Sequence, residues 1–173
     1  MLELIEFVKD MFGYIIIIMI IILLRVYVLT TTEIVGDSME PNLTSGNIIL
    51  TNQITRRFTE LKRFQVIVFK YDNPRYLIKR IIGLPGDHIA YIDNQLYINN
   101  KPIKEDFNFQ GYITNFDIKD LNYDIIPDNN YFVLGDNRHN SLDSRTIGLI
   151  SKDKIIGFPF VIVWPPKKVK VIK

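Results

Sequence analysis

Three stretches of this 173-residue chain hold residue types suited to nucleophilic catalysis. The first, Val35-Gly36-Asp37-Ser38-Met39-Glu40-Pro41, sets one serine between a glycine and a proline. Pro41 biases Glu40 away from helical backbone, so the segment runs extended or turning. Gly36 permits close backbone approach. A serine hydroxyl is a weak nucleophile until a nearby base takes its proton. The bases on offer are His88, His139, the carboxylates and the lysines. Lys79 stands out in Tyr76-Leu77-Ile78-Lys79-Arg80-Ile81-Ile82, where strand alternation puts Leu77, Lys79 and Ile81 on one face and Arg80 on the other. Aliphatic neighbours strip water from an ammonium and lower its pKa; a fall from about 10.4 to about 8 costs roughly 3 kcal/mol. From alternation alone, Lys79 fits equally well on an edge strand with its amine in water. The third stretch, Gly135 to Gly148, is dense in polar residues between two apolar strands. Asp136, Arg138, Asp143 and Arg145 offer ion pairs there, and Ser141 and Ser144 offer hydrogen bonds. That is the composition of a rigid wall beside a site, and equally of an ordinary surface loop.

The elements that must position these residues begin with an apolar run. Met11 to Leu24 carries no charge, and the run continues past Arg25 through Val26-Tyr27-Val28-Leu29. At about 1.5 Å per residue it spans roughly 28 Å, enough for a bilayer core, with Arg25 reaching the headgroups. The first ten residues are acidic and Thr30-Thr31-Thr32-Glu33 offers no small-x-small cleavage site, so residues 1–29 are expected to form an uncleaved anchor. The charges flanking the run do not set its orientation.

From Thr30 onward the pattern is β. Short β-branched and aromatic runs lie at Asn47–Leu50, Phe64–Phe69, Tyr76–Ile82, Ile89–Ile92, Leu96–Ile98, Tyr131–Leu134 and Phe158–Trp164. Turn residues separate them, including Leu84-Pro85-Gly86-Asp87 and Pro127-Asp128-Asn129. Asp93-Asn94 reads as a hairpin turn. No helix of ordinary length is expected after the anchor, and residues 105–125 read as a surface excursion or part of a small subdomain. The expected organisation is therefore an anchor, 1–29, and a mainly β domain, 30–173, with a small cap inserted at about 88–130. The Pro165–Lys173 tail, rich in lysine, suits contact with anionic lipid or simple solvation.

Composition narrows the function classes. A net charge of +2 leaves no nucleic-acid footprint. Residues 1–29 hold Glu3, Glu6 and Asp10 against Lys9 and Arg25, a net of −1, leaving a mild +3 for the rest. There is no cysteine, so neither disulfides nor thiolate chemistry enter. With two histidines, a zinc site is not expected, and no cofactor is implied.

Taken together, these motifs resemble the type I signal peptidases, membrane-anchored Ser/Lys endopeptidases of bacteria. The resemblance runs in order along nearly the whole chain: the anchor, Gly36–Leu43, Lys62–Phe69, Tyr76–Asp87 and the Gly135–Gly148 loop. It implies a signal-peptidase-like β-barrel or sandwich catalytic domain with a small β cap, of the short Gram-positive kind. It implies Ser38 as nucleophile and Lys79 as general base. Ser141 would orient the lysine amine, Asp143 and Arg145 would form the loop's ion pair, and Arg80 would stand beside the base. Met39 would line the substrate cleft. The Ser38 N–H would supply one oxyanion donor; some relatives add a hydroxyl two residues before the nucleophile, where Gly36 has no side chain, so a backbone group or water is expected there. Arg63-Phe64 stands where the family normally has Gly-Asp, a departure that bears on local turn geometry.

The implied reaction is acyl transfer on secretory preproteins bearing small residues before the cut, by a monomer held single-pass in the bacterial cell membrane with its site on the extracytoplasmic side, beside membrane lipids. Two other readings stay open. One is a Ser-His-Asp hydrolase using His139 or His88, which would titrate near pH 6–7. The other is a specialised or non-catalytic homologue assisting surface-fibre (pilus) assembly.

Overall fold

The computed structural model describes residues 11–22, 29–53, 59–72 and 74–172. Residues 11–22 form a helix (α1), and its isoleucines, such as Ile17 and Ile21, are largely exposed. Among the described residues no helix is long and apolar enough to cross a membrane. The expected anchor also includes residues 1–10 and 23–28, which lie outside the described residues. Leu29, expected as its last residue, instead opens a strand.

That strand is β1 (Leu29–Glu33), followed by β2 (Ile48–Asn52), β3 (Val66–Asp72) and β4 (Arg75–Gly83). A hairpin region holds β5 (Ile89–Ile92), β6 (Gln95–Ile98), β7 (Lys101–Pro102) and β8 (Phe116–Asp117). The chain ends with β9 (Asn130–Leu134), β10 (Ile150–Ser151), β11 (Ile155–Trp164) and β12 (Lys170–Val171). The seven runs read as strands all contain one; β1, β7, β8, β10 and β12 were not expected. Of these, β7, β8, β10 and β12 are two-residue pairings, too short to carry a period. Helix after residue 29 is limited to the four-residue α2 (Ser144–Ile147) and short 3-10 turns among the described residues.

Two antiparallel sheets result. The larger runs β1-β2-β11-β3-β4-β9-β10, with β12 added on β11. The smaller runs β7-β6-β5-β8. The Asp93-Asn94 turn joins β5 to β6 with both residues left-handed, φ 49° and 65°, the backbone a two-residue hairpin needs.

Strand β4 organises the molecule. It is central, with Ile67 opposite Lys79 on β3 and Leu134 opposite Arg80 on β9. Its alternating side chains feed different cores. Ile81 packs with Ile67, Phe69, Val133 and Ile155, whereas Ile82 packs with Phe132, Leu134 and the inner face of the small sheet. The 105–125 excursion is no loose surface loop, because Ile113 and Ile118 are buried in that second cluster and Phe116 stacks on Phe132 at 5.2 Å. A third cluster, Ile34, Met39, Leu43, Ile49, Val66 and Ile162, underlies the Ser38 segment.

Candidate active site

Ser38 lies on a tight turn fastened from both sides. Glu40 N donates to Asp37 O at 3.1 Å, and Asn42 N and Leu43 N donate to Met39 O at 3.0 and 2.9 Å. That turn folds the Met39 side chain under the chain into the third core cluster, where it is 2% exposed. Met39, named above for the substrate cleft, thus anchors the serine turn from below. Gly36 takes φ +96°, a backbone that side-chain-bearing residues rarely adopt, and its N–H reaches Ser45 Oγ at 3.4 Å.

The structure brings Lys79 to Ser38. Its Nζ lies 2.7 Å from Ser38 Oγ and donates to Ile78 O at 2.9 Å. Lys79 is 1% exposed, because β4 is flanked by β3 and β9 and leaves no edge from which the amine can reach water. Burial lowers its pKa from 10.5 to about 8, against the opposing pull of Asp143 and Asp136. A neutral amine is thus within reach near pH 8, touching the one hydroxyl it would have to activate.

The Gly135–Gly148 loop forms the opposite wall. Asp143 is fully buried; Arg145 grips it with Nε and Nη2, both at 2.8 Å, and its carboxylate accepts the Gly135 N–H at 3.1 Å. Asp143 also caps α2 through Arg145 N, which turns the loop back toward the site. Ser141, expected to orient the amine, has its Oγ buried with no hydrogen-bond partner among the described residues, while the amine donates to the Ile78 carbonyl. Ser141 instead packs against the Cα of Gly135: a Cβ there would fall 2.2 Å from Ser141 Oγ and 2.4 Å from Ser38 O.

Arg80 leaves the Lys79 face, as alternation requires, and binds Asp136 by two contacts, 2.9 and 2.7 Å. Both partners are buried. Arg80 also donates to Phe64 O at 2.7 Å and lies over the Phe107 ring at 4.2 Å. Phe64 itself takes φ +67°, so the Arg63-Phe64 departure carries a left-handed backbone at its second residue.

Several residues here escaped sequence reasoning. Asn137 N donates to Ser38 O at 3.0 Å and Asn137 Nδ2 to Asp37 O at 3.2 Å, a two-point clamp on the serine turn. Asn42 Nδ2 donates to Asp136 and to Asn108 O. Arg138 is buried against Glu105, Tyr91 and the Phe109 ring, tying the loop to the 105–110 segment. The Gly-Asp-Asn run directly after an apolar strand was the available signal; its side-chain partners Arg80, Asn42 and Asp37, 56 to 100 positions away, were not. The two histidines are engaged elsewhere. His88 Nε2 meets Asp117 at 3.1 Å, and His139 Nε2 accepts from Tyr112 N at 3.1 Å.

This arrangement coincides with a family match. The chain matches the model of "Signal peptidase, peptidase S26" over residues 4–164. The chain belongs to that family. It is 40% identical over 134 residues to signal peptidase I V of Bacillus subtilis, covering 72% of this chain and 80% of the relative. It is 34% identical over 170 residues to signal peptidase I of Bacillus amyloliquefaciens, covering 93% and 90%. Signal peptidase IB of Staphylococcus aureus is 38% identical over 152 residues, 80% of either chain. The crystal structure of a signal peptidase I from Enterococcus faecalis superposes with a TM-score of 0.52 at 32% identity, covering 58% of this chain and 97% of that one. The S26 peptidase fold is thus shared, and its match spans every residue of the site described above.

Proposed function

We propose that the chain is a membrane-bound serine endopeptidase that removes N-terminal signal peptides from secreted preproteins, with Ser38 as nucleophile and Lys79 as general base. The observation that carries this reading is the 2.7 Å contact between Lys79 Nζ and Ser38 Oγ in a buried setting that lowers the amine to about 8. Neutral Lys79 accepts the Ser38 proton as Oγ attacks the scissile carbonyl; the ammonium then gives that proton to the leaving amine. Water, deprotonated by the same lysine, releases the acyl group from Ser38. The developing oxyanion is met by the Ser38 N–H, which has no hydrogen-bond partner among the described residues. Asp143–Arg145 and Arg80–Asp136 hold the walls, and Asn137 holds the serine turn.

The residues before Leu29 act as a single-pass anchor, and residues 29–173 as the catalytic domain on the extracytoplasmic side of a bacterial cell membrane, with about 88–130 as its cap. The unbroken apolar sequence from Met11 to Leu24 supports the anchor. The protein works as a monomer on preprotein substrates, without a cofactor. Full-length protein in detergent should cleave a preprotein, and Ser38→Ala and Lys79→Met should each abolish cleavage while still folding. Retained cleavage by either variant would sink the dyad.

A further inference from the structure

On the far side of the serine turn lies a cavity of about 330 Å³. Its floor is the loop that continues from Ser38, with Asn42, Thr44 and Asn47; its wall is Lys167, Lys168 and Lys170. No carboxylate lines it. Three ammonium groups around one hollow repel each other, and an anion in the hollow relieves that repulsion. Lys168 Nζ is already drawn in to Thr44 Oγ1 at 3.0 Å. Asn47 gives a second, independent sign. It is 2% exposed, and its Oδ1 is used by Thr44 N at 3.1 Å, but its Nδ2 has no hydrogen-bond partner among the described residues. An amide donor on an otherwise buried residue lining a lysine-walled cavity is the donor set that oxygen-rich anions take.

The surrounding surface says where the anion comes from. The same segment exposes Trp164, Val169 and Val171, at 53%, 56% and 70%, the two valines alternating with Lys168 and Lys170. An exposed tryptophan with apolar and basic neighbours is the composition of a surface resting at a lipid–water boundary. We propose that this cavity binds the phosphate of an anionic phospholipid headgroup, seating the 164–171 segment on the membrane. The membrane source rests on the anchored reading above; the anion site itself does not.

Trp164 is the only tryptophan in the chain, so it reports directly on this segment. The full-length protein in neutral detergent is titrated with a short-chain phosphatidylglycerol, a short-chain phosphatidylcholine, and inorganic phosphate, following Trp164 emission. Phosphatidylglycerol should give a saturable blue shift at least tenfold tighter than the other two. The surface triple variant Lys167→Gln, Lys168→Gln, Lys170→Gln should weaken it about a hundredfold. Equal response to phosphatidylglycerol and phosphatidylcholine, or an unchanged triple variant, overturns the site. Inorganic phosphate binding as tightly as phosphatidylglycerol overturns the lipid assignment. None of these readouts uses peptide cleavage, so a failed cleavage assay and a failed lipid titration remain distinguishable.

Discussion

Replacing Lys79 by methionine should make the protein more stable as it makes it inert, and the gain should depend on pH. Lys79 is 1% exposed and its ammonium is lowered from 10.5 to about 8, chiefly by burial. Keeping it charged in the folded state therefore costs about 3 kcal/mol at pH values below 8. The unfolded chain binds more protons than the folded one between pH 8 and 10.5, so wild-type stability contains a term that rises with pH across that window. Methionine has the length and volume to fill the site and carries no proton. It also gives up the contacts to Ser38 Oγ and Ile78 O, a loss of about 1 kcal/mol. The variant should thus exceed wild type by about 2 kcal/mol at pH 7, and by pH 9.5 that advantage should shrink toward zero. Urea unfolding of both full-length proteins in the same detergent, followed by circular dichroism at several pH values, measures the difference directly. Other titrating groups cancel in the comparison. Stability curves that stay parallel from pH 7 to 9.5 would refute the depressed amine.

Other substitutions probe the walls. Gly135→Ala places a Cβ 2.4 Å from Ser38 O and 2.2 Å from Ser141 Oγ, so it should cost about 1–3 kcal/mol of stability and most of kcat, read by thermal melting and steady-state cleavage. Asn137→Ala removes the Nδ2 bond to Asp37 O but leaves the backbone bond to Ser38 O; kcat should fall about fivefold with KM unchanged. Asp143→Asn removes the largest influence that raises Lys79, so the alkaline rise in cleavage rate should move to lower pH, at reduced stability because Arg145 loses its partner. A His139→Ala variant should keep its cleavage rate, since that ring is spent on Tyr112 N.

Much of this site could be read from residue types, and the remainder could not for definable reasons. Alternation in Leu77-Lys79-Ile81 put the amine on an apolar face, but burial hinged on β4 lying between β3 and β9, a pairing no local pattern encodes. The hairpin at Asp93-Asn94 was legible because two φ-positive residues between β-branched runs have few other uses. The 105–125 excursion was not, because what orders it is a set of contacts to the Gly135–Gly148 loop. Gln110 N donates to Asp136 O and Arg138 N to Gln110 O, while Glu105 meets Arg138. Ser141 was named through the resemblance alone; its Oγ lies buried without a hydrogen-bond partner among the described residues, while the amine donates to Ile78 O. The depth of Met39 was not legible either, since it depends on a turn closed by Asn42 N and Leu43 N that buries the side chain in the third core cluster.

The pH dependence of cleavage tests the central claim most directly. With Lys79 as base, kcat/KM for a preprotein substrate rises with pH through an apparent pKa of about 8, because only the neutral amine can take the Ser38 proton. The Asp143→Asn enzyme should show the same rise displaced to lower pH. A rise centred on pH 6–7 that disappears in His139→Ala or His88→Ala would assign the base to histidine and contradict the Ser38–Lys79 dyad.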